Sequence, residues 1–161
     1  VSLVAEALHR HGIPPQLLAL ELTESMVMDD AESSSQTLYQ LRELGIELAI
    51  DDFGTGYSSL AYLRHLPITL LKIDRPFIWA MTDSERDRRV VAVICSLGRE
   101  LGMKTIAEGI ESEAQLEMLR GMQCDLVQGF HLMRPTTPEA IGELLVLGQR
   151  QQPARAASQA G

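Results

Sequence analysis

The chain has little cysteine, an acidic rather than basic balance, and no long apolar run. Its two cysteines, Cys95 and Cys124, stand far apart. They form neither a disulfide framework nor the paired spacing of a zinc site, and fit reduced, buried thiols of a cytoplasmic protein. The four histidines are scattered. His9 and His11 sit two apart at a helix end with no third soft ligand nearby, short of what zinc needs. Lys and Arg total 14 against 22 Asp and Glu, a net charge of -8. That excludes a groove for polymeric nucleic acid, which requires concentrated positive charge. The one basic cluster, Arg86, Arg88 and Arg89, is interleaved with Glu85 and Asp87 and reads as a solvated helix face. No stretch of about 18 apolar residues exists, and no signal peptide opens the chain. A cytoplasmic segment without membrane contact is expected. The first residue is Val1, which reads as the start of a fragment.

What is present is ordinary globular material: 45% hydrophobic and 22% charged residues in 161 positions, enough for one domain with a core. Short apolar runs alternate with helical stretches. A helix over 1–11 stops at Gly12; LLALELTES follows from Leu17; Asp29 or Asp30 caps a helix through about Leu44. IELAIDD comes next, then a short helix from Ser58 that ends before Pro67, then LLKID. An amphipathic helix spans roughly Ser84 to Leu101, followed by KTIAEG. Ser112 and Gln115 form a capping box, DLVQGF is the fifth run, and Thr137–Pro138 opens a last helix to about Leu147. Five such runs without strict alternation are the pattern of a parallel sheet buried on both faces. Residues 149–161, rich in Gln and Ala, read as a disordered tail after a domain over 1–148.

Every run ends in a polar residue that can do chemistry: Glu21, Asp51 with Asp52, Lys72, Glu108 and Gln128. Each one alone has a plain explanation, as a solvated loop residue, a surface lysine or a turn. Their recurrence at all five ends is the signal, because parallel strands point their C-terminal ends to one face. Four carboxylates there need more counter-charge than one lysine supplies. An all-oxygen set favours hard divalent cations, magnesium, manganese or calcium, and paired ions are a standard device for phosphodiester hydrolysis. Gly54 and Gly56 make the following loop either a gate or a tight turn.

ELTES at 21–25, DDFGTGYSSL at 51–60, LKIDRPF at 71–77, AEGIE at 107–111 and QGF at 128–130 resemble, in order, the motifs of EAL domains. The resemblance covers roughly residues 1–148. It implies a TIM-barrel-like α/β fold that hydrolyses the bacterial messenger cyclic di-GMP to its linear dinucleotide, using two ions of magnesium or manganese. It implies that Glu21 and Asp51 hold one ion and that Asp51 bridges to a second, completed by Asp52 and Glu108. Lys72 would hold the attacking water and help deprotonate it, and Gln128 would orient water or ligands. Glu24 would brace the loop 53–59, and Glu111 would support the site. Partners implied are cyclic di-GMP, a second copy in a homodimer communicating through the loop after Asp52, and regulatory domains in the parent protein.

The strand bearing the family's namesake Glu-Ala-Leu motif, and the next one with an asparagine ligand, are expected to lie upstream of Val1. An eight-strand barrel takes about 250 residues, so about five C-terminal βα units of an incomplete barrel are expected here. The isolated chain should then be inactive. A nucleotide-binding or protein-interaction module without catalysis is the main alternative, and a metal-dependent lyase or aldolase on the same fold a weaker one.

Overall fold

A computed structural model describes residues 1–23, 26, 31–54 and 63–151. Helix α1, Ser2–His11, ends at the left-handed Gly12, as the sequence predicts. A 3-10 turn at Pro15–Leu17 leads into β1, Ala19–Thr23. Helix α2, Ala31–Glu43, precedes β2, Glu47–Phe53, and β3 is Leu70–Ile73. A short helix α3, Arg75–Ala80, precedes α4, Glu85–Glu100. Strand β4, Lys104–Glu108, helix α5, Glu113–Gly121, strand β5, Leu126–Gln128, and helix α6, Pro138–Gln151, complete the chain.

All four strand pairings are parallel, and the order in the sheet is the order in the chain, β1-β2-β3-β4-β5. The central strand is buried at every position, whereas β1 and β5 at the edges are not. This is why the apolar runs lack alternation at the centre. Ile46, Leu48, Ile50, Leu71 and Ile73 meet Ile78, Val91 and Leu119 from the helices, and Met81 just past α3, in one core. Thr105, fully buried, is satisfied by Asp125, whose carboxylate accepts from its backbone N–H at 2.8 Å and its hydroxyl at 3.0 Å. That pair pins the start of β4 to the entry of β5.

Two caps follow the sequence, while the cap read at Asp29 or Asp30 lies outside the described residues. The Ser84 side chain accepts from the Asp87 N–H, and Ser112 and Gln115 form the expected reciprocal capping box. Helix α3 has no counterpart in the sequence reading; Pro76 in its first turn fits a helix start, but six residues are too few to show a period. Helix α6 runs through residues 149–151, the first part of the segment read as a tail. The helix read from Ser58 and residues 152–161 lie outside the described residues. The sequence does contain a Glu-Ala-Leu tripeptide, at 6–8, which the sequence reading passes over. It lies in α1, not at a strand end, with Glu6 exposed and Leu8 in the core, so it is no part of the strand-end group. Among the described residues, no helix is long and apolar enough to cross a membrane. Both cysteines are free, but only Cys95 is buried as expected; Cys124, just before the edge strand β5, is partly exposed.

Candidate active site

Lys72 is the third residue of β3 and only 7% exposed. A buried ammonium must be paired, and this one is paired three times. Its Nζ lies 2.7 Å from Glu21 Oε2, 2.8 Å from Glu108 Oε1 and 2.9 Å from Asp51 Oδ1. These carboxylates come from β1, β4 and β2, so the strand ends named from sequence do converge. Burial presses the lysine toward neutrality, but hydrogen bonds to Glu108, Glu21 and Asp51 outweigh it and raise its pKa above the ordinary value. Removing a proton from water requires a neutral amine, and the three carboxylates push the other way.

The acidic pair is presented by an irregularity. Ile50 pairs with Leu71 and Phe53 with Ile73, so two residues of β2, Asp51 and Asp52, stand opposite the single Lys72. This is a bulge. Asp52 takes a left-handed conformation with φ 54°, and its backbone N–H donates to Asp51 Oδ1 at 3.1 Å. Aspartate is among the few side chains that tolerate that backbone. In a regular strand, adjacent side chains alternate between faces; the bulge and the φ reversal break the alternation. Asp51 therefore meets Lys72 while Asp52 lines an adjoining cleft. Desolvation, then the charges of Asp51 and Asp74, raise the Asp52 pKa, with Lys72 opposing.

The cleft has a volume of about 590 Å³ and opens beside Glu108. Gln128, paired in register with Glu108, lines it with Asp52 and Glu111. The Glu111 backbone N–H donates to Gln115 Oε1 at 2.8 Å, which ties this wall to helix α5. Glu24 lies outside the described residues. Asp74, Arg75, Phe130 and Arg134 also line the cleft, and the sequence reading missed them. Their signal was position alone: each lies within a few residues of a strand end already identified.

The donor set suits a hard divalent cation. Glu21, Asp51 and Glu108 bring three negative charges to one positive Lys72, and Asp52 adds a fourth nearby. The excess calls for further cations, and carboxylate oxygen is their preferred ligand. Among the described residues no three such side chains are arranged as a metal cage; they close on Lys72 instead.

The family model for the EAL domain matches residues 1–135. The bifunctional diguanylate cyclase/cyclic di-GMP phosphodiesterase MucR of Pseudomonas aeruginosa is 48% identical over 141 residues, covering 88% of this chain and 21% of that protein. The chain spans about a fifth of the length of the curated relatives it matches. A solved structure of the MucR phosphodiesterase with cyclic di-GMP superposes with a TM-score of 0.82 at 48% identity, over 86% of this chain and 56% of that one. Klebsiella pneumoniae BlrP1, solved with cyclic di-GMP and either calcium or manganese, superposes with TM-scores of 0.74 and 0.75 at 30% identity, over 81% of this chain and 33% of that one.

Proposed function

Because the chain belongs to the EAL domain family, we propose that it is the C-terminal part of a metal-dependent phosphodiesterase domain that hydrolyses cyclic di-GMP to the linear dinucleotide. The observation that carries this reading is the meeting of Glu21, Asp51 and Glu108 on Lys72 at the strand ends, beside a cleft of about 590 Å³. Glu21, Asp51, Asp52 and Glu108 would hold two ions of magnesium or manganese, with Asp51 shared. When bound, the ions supply water activation and neutralise charge on the phosphate.

The chain's own groups do the rest. Lys72 donates hydrogen bonds and holds the attacking water in line. Gln128 and Glu111 orient ligands along the cleft wall, and Glu24 braces the loop 53–59. The cleft sets the phosphodiester against the acidic centre and limits bulk water. A homodimer, regulatory domains in the parent protein and a cytoplasmic location belong to the same proposal. The edge strands β1 and β5 do not pair with each other, so the 161-residue chain alone is proposed to be inactive, and a complete EAL barrel carrying it active.

The test is hydrolysis of cyclic di-GMP with manganese by such a complete barrel, beside an Asp51→Asn control. Linear dinucleotide from the parent and none from the variant is the expected result; no product from the parent overturns the reading. The alternative reading is a module that binds cyclic di-GMP or a protein without cutting. Tight nucleotide binding with no turnover would select it.

A further inference from the structure

Arg75 and Trp79 lie one turn apart on α3, and Arg75 lines the cleft. The Arg75 guanidinium lies over the Trp79 ring, 4.5 Å from its centroid. The indole N–H donates to the Gly109 carbonyl at 3.1 Å, and Gly109 directly follows Glu108 of the acidic group. Gly109 has a φ of +75°, and a Cβ there would sit 2.6 Å from Arg75 Cδ. The bare glycine thus lets the arginine stem cross β4's end. An exposed arginine ordinarily keeps most of its rotamer freedom. This one is restricted by the ring it covers and by its stem packed across Gly109.

No carboxylate explains that fixation. Among the described residues, the Arg75 side chain makes no ion pair or hydrogen bond, although Asp74 and Glu111 line the same cleft. Stacking occupies the guanidinium's face and leaves its in-plane N–H donors available. One wall therefore offers a rigid donor fork, and others offer carboxylate acceptors. Guanine has the complementary pattern: N1–H and N2–H donors on one edge, O6 and N7 acceptors on the other. Adenine places an N6 donor where guanine has O6, and would oppose the fork.

We propose that Arg75, held by Trp79 and Gly109, reads the O6/N7 edge of a guanine of the bound dinucleotide and sets the preference for guanine over adenine. This rests on the cyclic di-GMP reading above and names the base-reading residue within it. Trp79 is a positioning residue, acting through Arg75.

The test is calorimetric binding of cyclic di-GMP and cyclic di-AMP to the full protein in calcium, so that the readout is affinity rather than turnover. Arg75→Ala should weaken cyclic di-GMP roughly tenfold to a hundredfold and leave cyclic di-AMP nearly unchanged, collapsing the preference. Arg75→Lys, which keeps the charge and loses the fork, should lose the preference too. Trp79→Ala should reduce it part way and Trp79→Phe restore it. Equal losses for both nucleotides in Arg75→Ala, recovered in Arg75→Lys, would make the residue a phosphate contact and overturn the inference while the phosphodiesterase reading stands. An unchanged preference in Arg75→Ala overturns it as well. Failure of the unsubstituted protein to bind either nucleotide overturns both.

Discussion

Lys72 and Glu21 meet at 2.7 Å although their strands are not neighbours. Strand β2 lies between them, so two inter-strand spacings, about 10 Å in all, are bridged by the reach of two long side chains. With Asp51 and Glu108 also on its ammonium, Lys72 draws the ends of β1, β2 and β4 together over its own strand.

Removing that clamp should separate stability from binding. Lys72→Ala leaves three carboxylates facing one another, and breaking a buried pair costs about 3 kcal/mol or more; half-exposed Glu21 places this site at the low end. The metal-free variant should melt well below the parent, and manganese should recover most of the difference. Turnover should fall strongly while nucleotide affinity holds. Collapse of affinity with turnover intact at saturation would make Lys72 a phosphate ligand. Because its folded pKa is raised, the stability it lends is fully present below the ordinary lysine value and is lost only as pH climbs through the higher folded one. Stability should therefore be insensitive to Lys72 titration up to pH 10.

Asp51→Asn should abolish hydrolysis in a complete barrel, because a neutral amide cannot be shared between two cations. With saturating manganese, a loss of more than about a hundredfold is expected. Activity within tenfold of the parent would remove Asp51 from the bridging position.

Asp52→Asn should stabilise the metal-free protein and weaken metal binding. Its folded pKa lies above the unfolded value of 3.8, so the stability it contributes is present at low pH and is lost as pH rises through the folded value. Asparagine tolerates the same left-handed backbone, which isolates the charge. Urea unfolding in chelator at pH 4 and pH 7 should show a smaller decline for the variant. Equal declines would show that Asp52 is not under repulsive load.

Two glycine substitutions should have opposite signs. A Cβ at Gly129 would overlap the backbone of Ile110, whereas nothing lies within 4 Å of one at Gly142. Gly129→Ala should cost about 2 kcal/mol or more by overpacking and displace Gln128 beside it. Gly142→Ala, inside α6, should gain about 0.5–1 kcal/mol from helix propensity. Thermal melts of the two variants check both signs.

The sequence made the sheet and its acidic face legible because apolar runs and strand-end polar residues obey one simple rule, that parallel strands finish on the same side. The bulge that sets Asp51 and Asp52 against Lys72 was not legible, since register depends on the neighbouring strand and leaves no local pattern. Helix α3 was missed because six residues carry no period, and with it went Arg75 and Trp79. The tripeptide at Glu6–Leu8 shows the converse hazard: the letters of a motif on a helix do not bring its glutamate to the strand-end site.

A sheet whose order in space is its order in the chain is also ordered in time as it leaves the ribosome. Docking β2 on β1 sets Thr23 beside Asp51 and brings Glu21 near the acidic pair, before Lys72 has emerged. The arrival of β3 changes the sign of that encounter, since Lys72 attracts the carboxylates already in place. The emergence of residue 72 is therefore the point at which repulsion among these carboxylates becomes cohesion.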